Sequence, residues 1–369
     1  MADVSQELEA PLHVIRAAVR AQSPYRVGGV PDVAVKLNQN ENPYDLPAPL
    51  KRALLEAFLQ IPFNRYPTEQ PDRLVQALAA RLGHPPEGIL VGNGSNELTH
   101  TLGLTLIDRG TPVVLPRPMF ALYETVVRLF DGHLIPVAPR PDLHFDVAVL
   151  LEALDRHQPA LTVLCTPNNP TGLALSFAEV EQIVAAAPGF VVVDEAYVEF
   201  QEQPSALTLL PHHPNLLVMR TFSKAFGLAG LRLGFLLGAP VVIRELLKAR
   251  LPFMVDRLAE TAALTLLDHQ DLLDAHVATI KAECQRLMTA LAALPGVHVL
   301  PSQANFVLFR TPLDPTVLFT RLAEAQVLVR GMGGYPELQG WLRVNAGTPA
   351  ENQAFVEALK QLLFAANLS

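Results

Sequence analysis

Lys224 stands in "RTFSKAFGLAGLRLGF" (220–235), one of only six lysines in the chain. Phe, Ala, Leu and three glycines surround it, and the stretch holds no acidic residue. A lysine in an apolar crevice has a depressed pKa and can attack a carbonyl as the free amine. Three further polar groups also follow short apolar runs. Asp194 ends "FVVVD", Asn169 sits in the turn "NNPTG", and Gly94-Ser95-Asn96 precede "ELTHTLGLTLI". Each has a plain structural alternative when taken alone. A strand-end carboxylate caps a helix or pairs with an arginine, an asparagine before proline serves its turn, and glycine ahead of a helix is a common cap. The amide groups of a helix N-terminus nevertheless suit a phosphate.

The elements that position these groups alternate between two textures. "LKRALLEAFLQ", "PDRLVQALAARL" and "NELTHTLGLTLI" have helical spacing, and "SFAEVEQIVAAA" opens with a Ser176-x-x-Glu179 capping box. "GILVG", "TPVVLP", "HLIPVA", "ALTVLC", "FVVVDEA" and "LLVMRT" are short β-branched or leucine-rich runs, expected as buried strands. This order predicts an α/β fold, a large domain with a mostly parallel sheet flanked by helices. After about residue 250 come longer helices, the pair of runs in "VHVLPSQANFVLFR", and the strand-like "AQVLVRG" and "WLRVNAG". A last helix is expected from the cap Thr348-Pro349-Ala350-Glu351. These predict a smaller α+β domain. The expected division is an arm over 1–45 joining the small domain, a large cofactor-binding domain over 46–250 and a small domain over 251–369.

In open parallel sheets ligands bind at the carboxyl ends of strands. Four adjacent strand ends would gather 92–96, 166–172, 194–197 and 221–224 into one crevice. Together their residues supply what a pyridoxal phosphate cofactor needs. Lys224 is the amine for the Schiff base, and Asp194 the carboxylate for the pyridine nitrogen. Asn169 and Tyr197 are donors to the phenolate oxygen, and Phe120 is the stacking aromatic. Gly94, Ser95 and Asn96 with Thr221, Ser223 and Arg232 form the phosphate cup.

The same stretches resemble the aminotransferases of the fold-type I pyridoxal phosphate family. "RTFSKAFGLAGLRLGF", "PNNPTG" and "VVVDEAYVEF" carry the resemblance. "KLNQNENPYDLP", "NRYPTEQ", "VGNGSNE", "PMFALYETV", "SQANFVLF" and "VRGMGGYPELQGWLRVNAGTPAEN" match in order across nearly the whole chain. The nearest branch is the one acting on histidinol phosphate in histidine biosynthesis. The resemblance implies Lys224 as the catalytic lysine, with Asp194 and Tyr197 beside it. Phe120 stands where that family more often has tyrosine, which keeps stacking and loses a hydroxyl. Tyr66 would reach the cofactor phosphate from the other subunit of a homodimer. Tyr25, Arg330 and Arg343 would meet the anionic end of the substrates, a phosphorylated amino alcohol and 2-oxoglutarate or glutamate.

Composition narrows the alternatives. A net charge of −8 over 369 residues disfavours nucleic acid or an anionic membrane as partner. Two cysteines make neither a disulfide framework nor a cysteine-rich zinc site, and the eleven histidines show no metal-ligand spacing. "MADVSQELEAPLHVIRAAVR" lacks the pattern of a secretory signal and reads as a short amphipathic helix. No apolar run reaches the length of a membrane span, so a soluble cytoplasmic protein is expected. On the same scaffold stand an aromatic amino-acid aminotransferase and a threonine-phosphate decarboxylase, the latter distinguished by carbon dioxide release. A non-catalytic cofactor-binding regulatory module is disfavoured by Lys224, Asp194 and Arg232 occurring together.

Overall fold

A computed structural model describes residues 10–24 and 33–366. Strand β1 (Val35–Lys36) lies near the start of the described chain. Then come β2 (Ile89–Gly92), β3 (Pro112–Pro116), β4 (His133–Val137), β5 (Leu161–Cys165), β6 (Phe190–Asp194), β7 (Leu216–Thr221) and β8 (Gly234–Gly238). These seven form one sheet in the order β2-β8-β7-β6-β5-β3-β4. Helices separate most of them in sequence. Every residue of β2, β5 and β8 is buried. Their continuous apolar character follows from burial of both sheet faces, each large side chain contributing roughly 1.5–3 kcal/mol.

The pairings around β3 to β7 are parallel, as expected. β8 pairs antiparallel with both β7 and β2. The expectation that four adjacent strand ends form the crevice is therefore corrected. β5, β6 and β7 are adjacent, while β8 stands between β7 and β2. Its reversed direction puts its start at the same edge as their ends, with Gly234 opposite both Thr221 and Gly92. Arg232, just ahead of β8, reaches the crevice for this reason.

Beyond residue 250, β9 (His298–Val299), β10 (Phe306–Arg310), β11 (Val327–Leu328), β12 (Arg330–Gly331) and β13 (Trp341–Asn345) follow. β12-β13-β10-β9 make a second, antiparallel sheet, and β11 pairs parallel with β1. The helices Gln270–Ala292 and Pro349–Ala366 pack on each other. Both expected caps form. Ser176 and Glu179 bond reciprocally, and Thr348 accepts from the Glu351 N–H at 3.3 Å while Glu351 accepts from the Thr348 N–H at 2.7 Å.

The expected N-terminal amphipathic helix is not continuous. Among the described residues it is a 3-10 helix, Ala10–Val14, and one α turn, Ala17–Arg20. Arg16 between them has ψ 136°, an extended value that interrupts the helical hydrogen bonds. Both cysteines are buried as free thiols. No helix among the described residues is long and apolar enough to cross a membrane.

Candidate active site

A cleft of about 720 Å³ opens where the ends of β5, β6 and β7 meet the second sheet. Ser95, Asn96, Phe120, Asn169, Asp194, Tyr197, Thr221, Ser223, Lys224, Arg232, Arg330 and Arg343 all line it, so the structure gathers nearly every residue expected from the sequence. Of the other three, Gly94 adjoins the cleft beside Ser95, against the Arg232 guanidinium, and Tyr66 is expected to serve the other subunit's site. Tyr66 is 79% exposed, stacked on Phe253 at 5.1 Å, and does not line this cleft. Tyr25 lies outside the described residues.

Lys224 follows the end of β7. Its Nζ donates to the Gln39 carbonyl at 3.1 Å. Removal from water lowers its pKa to about 8, the Arg343 charge adds to the fall, and Glu41 opposes it. A neutral amine is thus available near neutral pH.

Asp194 ends β6 and is 5% exposed. Its Oδ2 accepts from the Tyr123 hydroxyl at 2.7 Å and its Oδ1 from the Ala196 N–H at 3.0 Å. Burial raises its pKa, and these two hydrogen bonds resist the rise. A carboxylate held in this way favours a positive partner in the cleft.

The remaining donors are polarised by their neighbours. Arg343 Nη1 donates to Asn169 Oδ1, which leaves the Asn169 amide nitrogen free to donate elsewhere. Arg343 Nη2 donates to the Asn38 carbonyl at 3.0 Å. Asn40 Nδ2 donates to the Tyr197 hydroxyl oxygen at 3.0 Å, which leaves the Tyr197 O–H to donate. Burial drives the Tyr197 pKa upward, so the phenol keeps its proton.

At the end of β2, Gly94 has φ +77° and opens the helix Gly94–Leu106. A Cβ there would stand 2.5 Å from an Arg232 guanidinium nitrogen, and a Cβ on Gly234 would stand 2.5 Å from the Ser95 N–H. Only glycine admits this approach of arginine and amide groups. Arg232 Nη1 donates to Ser223 Oγ at 3.2 Å, and the Ser223 N–H donates to Thr221 Oγ1 at 3.1 Å. These groups form a cup of donors suited to a phosphate.

On the opposite wall Arg330 and Arg343 are direct cross-strand partners of β12 and β13. Like charges placed so repel each other. A shared anion in the cleft relieves that repulsion and matches two guanidinium forks. Lys224, Arg232, Arg330 and Arg343 make the cleft locally cationic in a chain of net charge −8.

Some lining residues were not singled out from the sequence. Asn38, Gln39 and Asn40 come from the arm after β1, and their partners are 157 to 305 residues away. Tyr123, which lay in the quoted "PMFALYETV", does not line the cleft but stands behind it, on the helix Leu122–Leu129, bonded to Asp194. Among the described residues no group of His, Cys, Asp and Glu is disposed to hold a metal ion.

Residues 32–359 match the family "Aminotransferase class I and II". The histidinol-phosphate aminotransferase of Chlorobaculum tepidum is 43% identical over 338 residues, 92% of this chain and 97% of that protein. That of Chlorobaculum parvum is 41% identical over 347 residues, 94% of this chain and 98% of that protein. The crystal structure of histidinol-phosphate aminotransferase from Sinorhizobium meliloti in complex with pyridoxal-5'-phosphate superposes with a TM-score of 0.87 at 26% identity. The match covers 96% of this chain and 98% of that one.

Proposed function

The chain belongs to the class I and II aminotransferases, and from that premise we propose that it holds pyridoxal 5'-phosphate in the cleft and converts L-histidinol phosphate and 2-oxoglutarate to imidazole acetol phosphate and L-glutamate, a step of histidine biosynthesis. The observation that carries the substrate reading is the register pairing of Arg330 with Arg343 on the wall facing Lys224. Two relatives bearing the histidinol-phosphate name, at 43% and 41% identity, support it.

The residues present fit the cofactor. The glycine-lined cup with Arg232, Ser223 and Thr221 accepts its phosphate, and Phe120 offers a face to its ring. Asp194 would meet its pyridine nitrogen, Asn169 and Tyr197 its phenolate oxygen, and Lys224 would be the attachment amine. When bound, the cofactor supplies an electrophilic carbon and a cationic ring that takes up the electron pair left by a broken Cα–H bond. With the cofactor bound, the Lys224 amine would be placed as the general base for the substrate's Cα proton. The Asp194 carboxylate would favour a protonated ring nitrogen. Asn169 and Tyr197 donate to the ring oxygen, and Arg330 with Arg343 fixes the anionic tail that orients the Cα–H bond.

One clamp then serves both the phosphate of histidinol phosphate and a carboxylate of 2-oxoglutarate. Arg343→Leu removes half of it and also frees Asn169. Both half-reactions are expected to lose about 10–100-fold in kcat/KM, the worth of charge-assisted hydrogen bonds of roughly 1.5–3 kcal/mol. Single-turnover kinetics with each substrate checks this. Loss in only one half-reaction would show two separate anion sites.

The same reading takes residues 46–250 as the large domain and 251–369 as the small one, with residues 1–45 as the arm. It makes the active form a homodimer in the cytoplasm. Exposure of Leu59, Phe63, Tyr66, Leu251 and Phe253 on one chain supports an apolar contact with a second copy, through which Tyr66 reaches the partner's cofactor phosphate.

A further inference from the structure

Asn40 is 1% exposed and makes more long-range ties than its place in an arm requires. Its backbone N–H donates to Asn345 Oδ1 at 3.1 Å, and its carbonyl accepts from Asn305 Nδ2 at 3.1 Å. Both partners flank strands of the second sheet, Asn345 ending β13 and Asn305 preceding β10. Its side-chain Nδ2 donates to the Tyr197 hydroxyl, which follows the end of β6 in the first sheet. Asn40 therefore bridges the two sheets at the cleft. Its φ is +55°, a left-handed conformation that asparagine, aspartate and glycine adopt more readily than other residues. Among the described residues its Oδ1 is buried without a hydrogen-bond partner, and its side-chain amide makes one hydrogen bond, the donation to Tyr197.

That direction of donation matters. A phenol oxygen that accepts from Asn40 has its one proton left over. If the neighbour were an acceptor, the Tyr197 proton would turn to it and away from the cleft. We propose that Asn40 is a positioning residue that fixes the Tyr197 hydroxyl as a donor into the cleft. The proposal deepens the cofactor reading and rests on Tyr197 donating to the cofactor's phenolate oxygen.

A donor to that oxygen stabilises the deprotonated state and lowers the pH at which the lysine-bound cofactor changes colour. The test is a pH titration of the visible band of the holoenzyme in two backgrounds. Tyr197→Phe sets the full effect, a rise of about one pKa unit for one lost hydrogen bond. Asn40→Gly keeps the backbone conformation and drops the donor, and is expected to raise the midpoint by about half a unit. Asn40→Asp keeps shape and φ but presents an acceptor, and is expected to match Tyr197→Phe. In the Tyr197→Phe background neither Asn40 change should move the midpoint further. The visible band itself reports that each variant is folded and loaded. Asn40 variants that shift the band equally in both backgrounds would overturn the proposal, because their effect would not pass through Tyr197. An unmoved band in Asn40→Asp would also overturn it, since the amide oxygen would then be the atom facing the hydroxyl. A Tyr197→Phe protein whose band keeps its midpoint would remove Tyr197 as the donor to the phenolate oxygen, and Asn40's role with it, whereas a protein with no visible band after addition of pyridoxal phosphate would remove the cofactor reading itself.

Discussion

Lys224→Ala is expected to lose turnover by on the order of 10⁴-fold, the upper range for a positioned acid–base group. The substitution removes the proposed attachment amine and the base proposed to move the Cα proton. Its surroundings also give a pH signature to the unaltered protein. The Lys224 pKa is lowered to about 8, chiefly by removal from water. The ammonium form has no lone pair, so the amine fraction falls as pH drops below about 8. The rate at which cofactor-free protein captures added pyridoxal phosphate is therefore expected to fall about tenfold per pH unit below that value and to level off above it. Stopped-flow absorbance across pH 6 to 9 measures this. Lys224→Ala with turnover near that of the unaltered chain, or a capture rate indifferent to pH, would remove Lys224 from its role.

Asp194→Asn is expected to cost on the order of 10²–10³-fold in turnover, the range for leaving one member of a buried charge pair without its partner. The amide preserves the shape that meets Tyr123 and the Ala196 N–H. It cannot hold a proton on the ring nitrogen by charge. The bound cofactor should therefore still be visible while proton removal at Cα slows. Single-turnover rates with deuterium at Cα separate the two, and the isotope effect should grow in the variant. Turnover within tenfold of the unaltered chain would mean that the ring needs no anionic partner.

Much of this site was legible because its residues sit at the ends of recognisable strands. Runs such as "FVVVD" and "ALTVLC" are buried on both faces, so their apolar character is continuous, and the polar residue that follows each marks the open edge of the sheet. Strand direction was harder. "GFLLG" is as apolar as its neighbours, and nothing in a fully buried run tells parallel from antiparallel. The reversed β8, which carries Arg232 to the phosphate cup, emerged only from the pairing register. The arm was least legible. Asn38, Gln39 and Asn40 are polar residues near the chain start, a composition that suits an exposed loop. Their placement depends on Tyr197, Lys224, Asn305, Asn345 and Arg343, which no local pattern connects to them. Tyr123 escaped notice for a related reason. An aromatic residue on a helical face reads as core, and its hydroxyl gains meaning only once Asp194 is beside it.

One cleft is proposed to join Lys224, the cofactor and a phosphorylated amino alcohol. Its most direct test is the visible spectrum of the purified holoenzyme during titration with L-histidinol phosphate in the absence of any keto acid. The expected result is stoichiometric loss of the lysine-bound cofactor band, appearance of the amine form of the cofactor, and recovery of the band on adding 2-oxoglutarate. A band that persists unchanged at saturating histidinol phosphate would contradict the proposed substrate, and a protein with no such band after addition of pyridoxal phosphate would contradict the account from Lys224 outward.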